Sequence, residues 1–121
     1  MFQDRRQRRP SLLGCCGGLL AAAAIGLAAY AAHGAQGPAQ ANLHSAALYA
    51  FGHGIALAAL SGGGLRALGR VALYGLLIGT LLFSGSLVAG ALGGFSTRAA
   101  PVGGVTMMLA WLLWAIDAVR R

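Results

Sequence analysis

The sequence predicts an all-α integral membrane protein: an antiparallel four-helix bundle with its N and C termini on the cytoplasmic side. Three observations predict it. Apolar residues make up 58% of the 121-residue chain and charged residues only 9%, where soluble domains run near about 25% charged. Between Pro10 and Val119 the formally charged residues are Arg66, Arg70, Arg98 and Asp117. What remains divides into long apolar runs separated by short joints rich in Gly and Ala. A water-soluble domain of this composition, with mean hydropathy +0.72, would expose a very large apolar surface, so the expected solvent is lipid.

The elements follow in order. Residues 1–11 form a basic arm carrying Arg5, Arg6, Arg8 and Arg9 against one acid, Asp4. The transmembrane domain covers 12–119, with helices expected over about 12–33, 42–61, 67–92 and 101–118. Runs of this length, at about 1.5 Å per residue, cross a hydrocarbon core of about 30 Å. They must be helices, because lipid offers the backbone no hydrogen-bond partner. Gly62, Gly63 and Gly64 end the second helix, and Gly93 and Gly94 end the third. Pro101 suits the first turn of the fourth, where its missing N–H costs nothing. Gly14-x3-Gly18, Gly75-x3-Gly79 and Gly90-x3-Gly94 permit close helix packing, although such spacings arise easily in a chain with 20 Gly.

Arginine placement sets the orientation. Positive charge follows the cytoplasmic side, and termini-inside topology places Arg5, Arg6, Arg8, Arg9, Arg66, Arg70, Arg120 and Arg121 inside and Arg98 outside. The expected home is a bacterial cell (inner) membrane, ahead of a mitochondrial one, which the Arg-rich arm would also fit. Arg8-Arg9-Pro10 echoes a twin-arginine signal, and Leu13-Gly14-Cys15 echoes a lipoprotein site. Only Leu12 and Leu13 precede the cysteine, and the apolar run beyond it is of spanning length, so a spanning helix is the better reading. Cys15 and Cys16 project about 100° apart on one helix and are read as small apolar fillers.

Composition also limits the chemistry. The net charge of +7 would point to nucleic acid in a soluble protein. Here the arginines occupy flanks and turns without interleaved aromatics, so no nucleic-acid partner is expected. No nucleophile–base pair or phosphate loop can be assembled, so no catalytic residue, cofactor or metal site is expected. His44 and His53 lie on opposite faces of one helix and cannot share an ion.

Intramembrane polar groups carry what functional signal exists, because they cost free energy and need partners. His53 lies about 16 Å below the outer end of the second helix, with Tyr49 one turn above on the same face. Ser84 lies about 12 Å below the outer end of the third helix, with Ser86 slightly higher. His33 closes the first helix near the outer surface. His33, Tyr49, His53, Ser84 and Ser86 form a candidate polar layer. One reading is a neutral His53 bonded to a serine or carbonyl across the helices. The other is a proton path from His33 to His53, since imidazole exchanges protons near neutral pH. That path lacks an inward carboxylate until Asp117, which is expected to pair with Arg120 and Arg121. Trp111 and Trp114 share a face, and Trp114 suits the interfacial belt.

Four stretches in order carry a family resemblance: Ala32-His33-Gly34; Tyr49-x3-His53 with Ile55-Ala56-Leu57-Ala58; Leu82-Phe83-Ser84-Gly85-Ser86-Leu87; and Ala100-Pro101-Val102-Gly103-Gly104 with Leu109-Ala110-Trp111-Leu112. Over about residues 20–118 the chain resembles the small membrane proteins of the domain of unknown function 423 family, to which transmembrane protein 256 of animals is similar. The resemblance implies a four-helix integral membrane protein and no established activity. The expected function is a structural or accessory membrane component without catalytic activity, packing against lipid, other membrane subunits or itself. The alternative is a minimal proton or ion channel or transporter centred on His53.

Overall fold

The computed structural model describes residues 10–120; the basic arm before them and Arg121 lie outside the described residues. The chain is helical: α1 (Leu12–Gly34), α2 (Gly37–Leu60), α3 (Ala67–Gly93) and α4 (Ala99–Val119). Each is long and apolar enough to cross a membrane, which marks a multi-pass membrane protein.

Local chemistry explains the helix ends. Ser11 caps α1, its Oγ accepting the Gly14 N–H at 2.9 Å, one of the open donors of a first turn. The corner after α1 is tighter than expected. α2 begins at Gly37 rather than near residue 42, so the joint shrinks to Ala35 and Gln36. Gly37 takes φ +65, a left-handed turn that glycine adopts without a Cβ penalty. Pro38 follows in the first turn of α2, where no N–H is needed. The Gln40 amide then donates to the Ala31 carbonyl at 2.8 Å, satisfying an acceptor that the end of α1 leaves open. α3 closes on Gly94 with φ +69, the common left-handed helix cap. α4 starts two residues before Pro101, still within the turn where proline is tolerated.

Small residues set the packing. α1 packs on α2, α2 on α3 and α3 on α4, while α1 meets α3 only slightly. A Cβ on Gly17 would stand 2.5 Å from the Gly54 carbonyl oxygen, and one on Gly54 would stand 2.6 Å from that of Gly17. Gly79 and Gly103 make the corresponding crossing of α3 and α4: a Cβ on Gly103 would collide with the Phe83 backbone and approach the Gly79 oxygen to 2.6 Å. Of the three Gly-x3-Gly spacings, Gly75-x3-Gly79 lies on a crossing, a Cβ on Gly75 standing 3.0 Å from the Ala110 Cβ of α4. Gly18 faces open space, and Gly90 meets the Phe95–Thr97 loop rather than a helix. Between the crossings Leu57, Leu73 and Leu76 are fully buried, with Leu13 and Ala110 completing the cluster. Leu19, Ile25, Ile78 and Leu112 point outward, as side chains facing lipid do.

Candidate functional site

His53 projects from α2 toward α4. Its Nδ1–H donates to the Tyr49 carbonyl one turn earlier at 2.8 Å. Its Nε2 accepts the Trp111 indole N–H at 3.0 Å. A carbonyl can only accept and an indole N–H can only donate, so these partners assign one species: neutral imidazole with its proton on Nδ1. Both ring nitrogens are used. Aromatic contacts extend the group. The Tyr49 ring lies 6.2 Å from the imidazole and meets Phe83 edge-on at 4.8 Å, and His53 and Trp111 stand 5.8 Å apart. Four rings from α2, α3 and α4 thus adjoin, although α4 packs its backbone on α3 and not on α2.

The other candidate residues are distributed along the helices. Ser84 is buried, and its Oγ donates to the Ala46 carbonyl at 2.8 Å, tying α3 to α2. Ala46 precedes His53 by two turns, about 10 Å, so serine and histidine serve separate levels; the partner of His53 is Trp111, not a serine. The longer α2 also moves His53: it lies about 24 Å from the start of that helix and about 10 Å from its end. The Ser86 hydroxyl is buried and has no hydrogen-bond partner among the described residues. His33 is exposed at the last turn of α1, away from the His53 group. His44 is exposed and borders an apolar groove between α1 and α2, lined also by Ala24, Ile25, Ala28, Leu48 and Phe51. Among the described residues no three His, Cys, Asp or Glu side chains converge as a metal site would require.

Two polar relationships were not legible beforehand. Thr80 is fully buried; its hydroxyl donates to the Leu76 carbonyl at 2.6 Å and lies 3.5 Å from the Met107 sulfur. Asp117 pairs with Arg120 at 3.0 Å as expected, and also with Arg66 at 3.3 Å. Arg66 Nη2 donates further to the carbonyls of Asp117 and Arg120 at 2.6 and 3.0 Å. The residue before α3 therefore caps the end of α4. The expected Arg121 partner lies outside the described residues. Trp111 lies two turns before the end of α4, as His53 does in α2, a match of level that does not by itself name the partner.

A family model described as "protein of unknown function (DUF423)" matches residues 27–104. That segment is well over half the chain and takes in Tyr49, His53, Arg66, Thr80 and Ser84, with Trp111 and Asp117 beyond its end. No curated protein and no solved structure matches the chain. The chain belongs to the DUF423 family of proteins of unknown function.

Proposed function

We propose that this family member is a structural or accessory component of a bacterial cell membrane, without catalytic activity. It is read as an antiparallel four-helix bundle with both termini on the cytoplasmic side. The residue pairs across its helices support the antiparallel arrangement. Gly14 lies beside Ser61 and Ala31 bonds Gln40 across α1 and α2, while Arg66 meets Asp117 across α3 and α4. Arg66, Arg70 and Arg120 belong to the end where α3 starts and α4 stops, and Arg98 belongs to the other. That bias supports a cytoplasmic arginine end.

The observation that carries the function is the closed hydrogen bonding of His53. Its acceptor is taken by Trp111 and its proton by Tyr49. A histidine in a conduction path needs one of these free to exchange protons, whereas a histidine that joins helices uses both. The Gly crossings supply such close contact within the bundle, and its apolar outer faces are what other helices would meet. The partners would be other membrane subunits or further copies of this chain.

Two measurements test the reading. Mild-detergent extraction followed by native mass spectrometry should retain an oligomer or a partner subunit; a strictly monomeric, partner-free species would sink the accessory role. Proteoliposomes should carry no proton or ion flux dependent on His53. A flux abolished by His53→Ala would establish the channel reading instead.

A further inference from the structure

Arg66 and Arg120 approach the same carboxylate oxygen, Oδ1 of Asp117, at 3.3 and 3.0 Å. Their guanidiniums therefore stand side by side with one negative charge between them. Most of their donors remain unspent. Arg66 makes its contacts through Nη2 alone and Arg120 through Nε alone. Their side chains are 45% and 44% exposed, whereas that of Asp117 is 15% exposed. The carboxylate is thus turned inward and the guanidiniums outward. Arg70 follows Arg66 by one turn of α3 and is exposed, and its guanidinium makes no hydrogen bond or ion pair among the described residues. Two cations meet one acid, and a third, Arg70, lies one turn along the same end of α3.

The position defines the anion. Trp114, on the turn before Asp117, packs near Gly69, and an indole here marks the boundary between hydrocarbon and headgroups. Immediately beyond, Gly63 and Gly64 leave open space. An anion whose apolar tail lies in the bilayer beside α3 and α4 would present its charge to the free guanidinium edges at this depth.

We infer that Arg66, Arg70 and Arg120 form a seat for the phosphate of an anionic phospholipid. Guanidinium suits it, because its planar fork gives paired hydrogen bonds to phosphate oxygens. A zwitterionic headgroup binds less well, since its own cation opposes the surplus charge. The inference requires only that the chain spans a bilayer, and stands whether or not the accessory role does.

The test is native mass spectrometry of the full chain in detergent with phosphatidylglycerol, phosphatidylcholine or inorganic phosphate. Phosphatidylglycerol should be retained preferentially. Arg70→Gln and Arg120→Gln should each weaken it roughly fivefold, the effect of one basic residue at an anionic surface, and Arg98→Gln at the opposite end should leave it unchanged. The Arg70 guanidinium makes no hydrogen bond or ion pair among the described residues, so Arg70→Gln reads the site even if Arg120→Gln unfolds α4. Equal retention of the two lipids, or equal loss on Arg98→Gln, would overturn the seat. Displacement of phosphatidylglycerol by millimolar phosphate would overturn its lipid identity and leave a site for free anions.

Discussion

The indole N–H of Trp111 is donated to Nε2 of His53 at 3.0 Å, joining two helices whose backbones do not pack together. The bond passes across α3, whose Phe83 contributes to the same ring group through Tyr49. It couples the α1–α2 pair to the α3–α4 pair. Most other contact between the two pairs runs from α3 to α2, as in the bond of Ser84 to Ala46, with a smaller contact of α1 on α3.

A double-mutant cycle should isolate this bond. Trp111→Phe and His53→Leu keep apolar bulk but remove donor and acceptor. Each should destabilise alone, and the two together by less than their sum, with a coupling of about 0.6 kcal/mol, the average for interhelical hydrogen bonds in membrane proteins. Unfolding in mixed micelles or by steric trapping reads it. Strict additivity would mean that the bond contributes nothing.

The end of α4 should respond to Arg66. Removing its guanidinium by Arg66→Gln withdraws the cap on the Asp117 and Arg120 carbonyls, while Asp117 keeps Arg120. The exposed geometry limits the global cost to about 1 kcal/mol or less. The local effect should be clearer: hydrogen exchange should accelerate in the last turn of α4 and remain unchanged around Gly79. Uniform acceleration along the chain would contradict a local cap.

Helix identity was legible because lipid imposes a simple rule: a run of spanning length with little charge must be helical. The ends at Gly94 and in the Gly62–Gly64 joint were legible for the same local reasons. The start of α2 was not. Ala35-Gln36-Gly37-Pro38 reads as a loop, but Gly37 makes the turn in one residue and Pro38 fits the first helical turn. Of the site, the pairing of Tyr49 with His53 follows from their spacing on one helix. Trp111 as the partner does not, because it depends on how far α2 and α4 stand apart across α3. Arg66 marked a membrane face in the sequence, yet its contact with Asp117 spans 51 residues, a separation no local pattern encodes.

The glycine crossings predict a sharp contrast. Gly54→Ala and Gly103→Ala place a methyl against backbone that cannot rotate away, and each should cost about 1–3 kcal/mol, the range for overpacking a tight contact. Gly52 on α2 and Gly85 on α3 meet nothing within 4 Å, so Gly52→Ala and Gly85→Ala serve as the open positions. They should be neutral or stabilising, since alanine is the better helix former. Thermal unfolding in detergent checks all four. Similar losses at the open and closed positions would remove the crossings as determinants of packing.

The hydroxyls should separate by partner rather than by burial. Ser84→Ala removes a bond between α3 and α2 and leaves the buried Ala46 carbonyl without that donor, so it should destabilise by about 0.6 kcal/mol. Thr80→Val is also buried, but its hydroxyl bonds the Leu76 carbonyl of its own helix. No tie between helices is lost with that bond, and valine keeps the shape, so the change should cost less than Ser84→Ala. Ser86→Ala removes a buried hydroxyl that has no partner among the described residues. Because such a group forfeits hydrogen bonding when buried, its loss should be neutral or stabilising. The expected order of stability is Ser86→Ala above Thr80→Val above Ser84→Ala, read in one unfolding series. An order that followed exposure alone would mean that the serine bond to Ala46 does not hold α3 to α2.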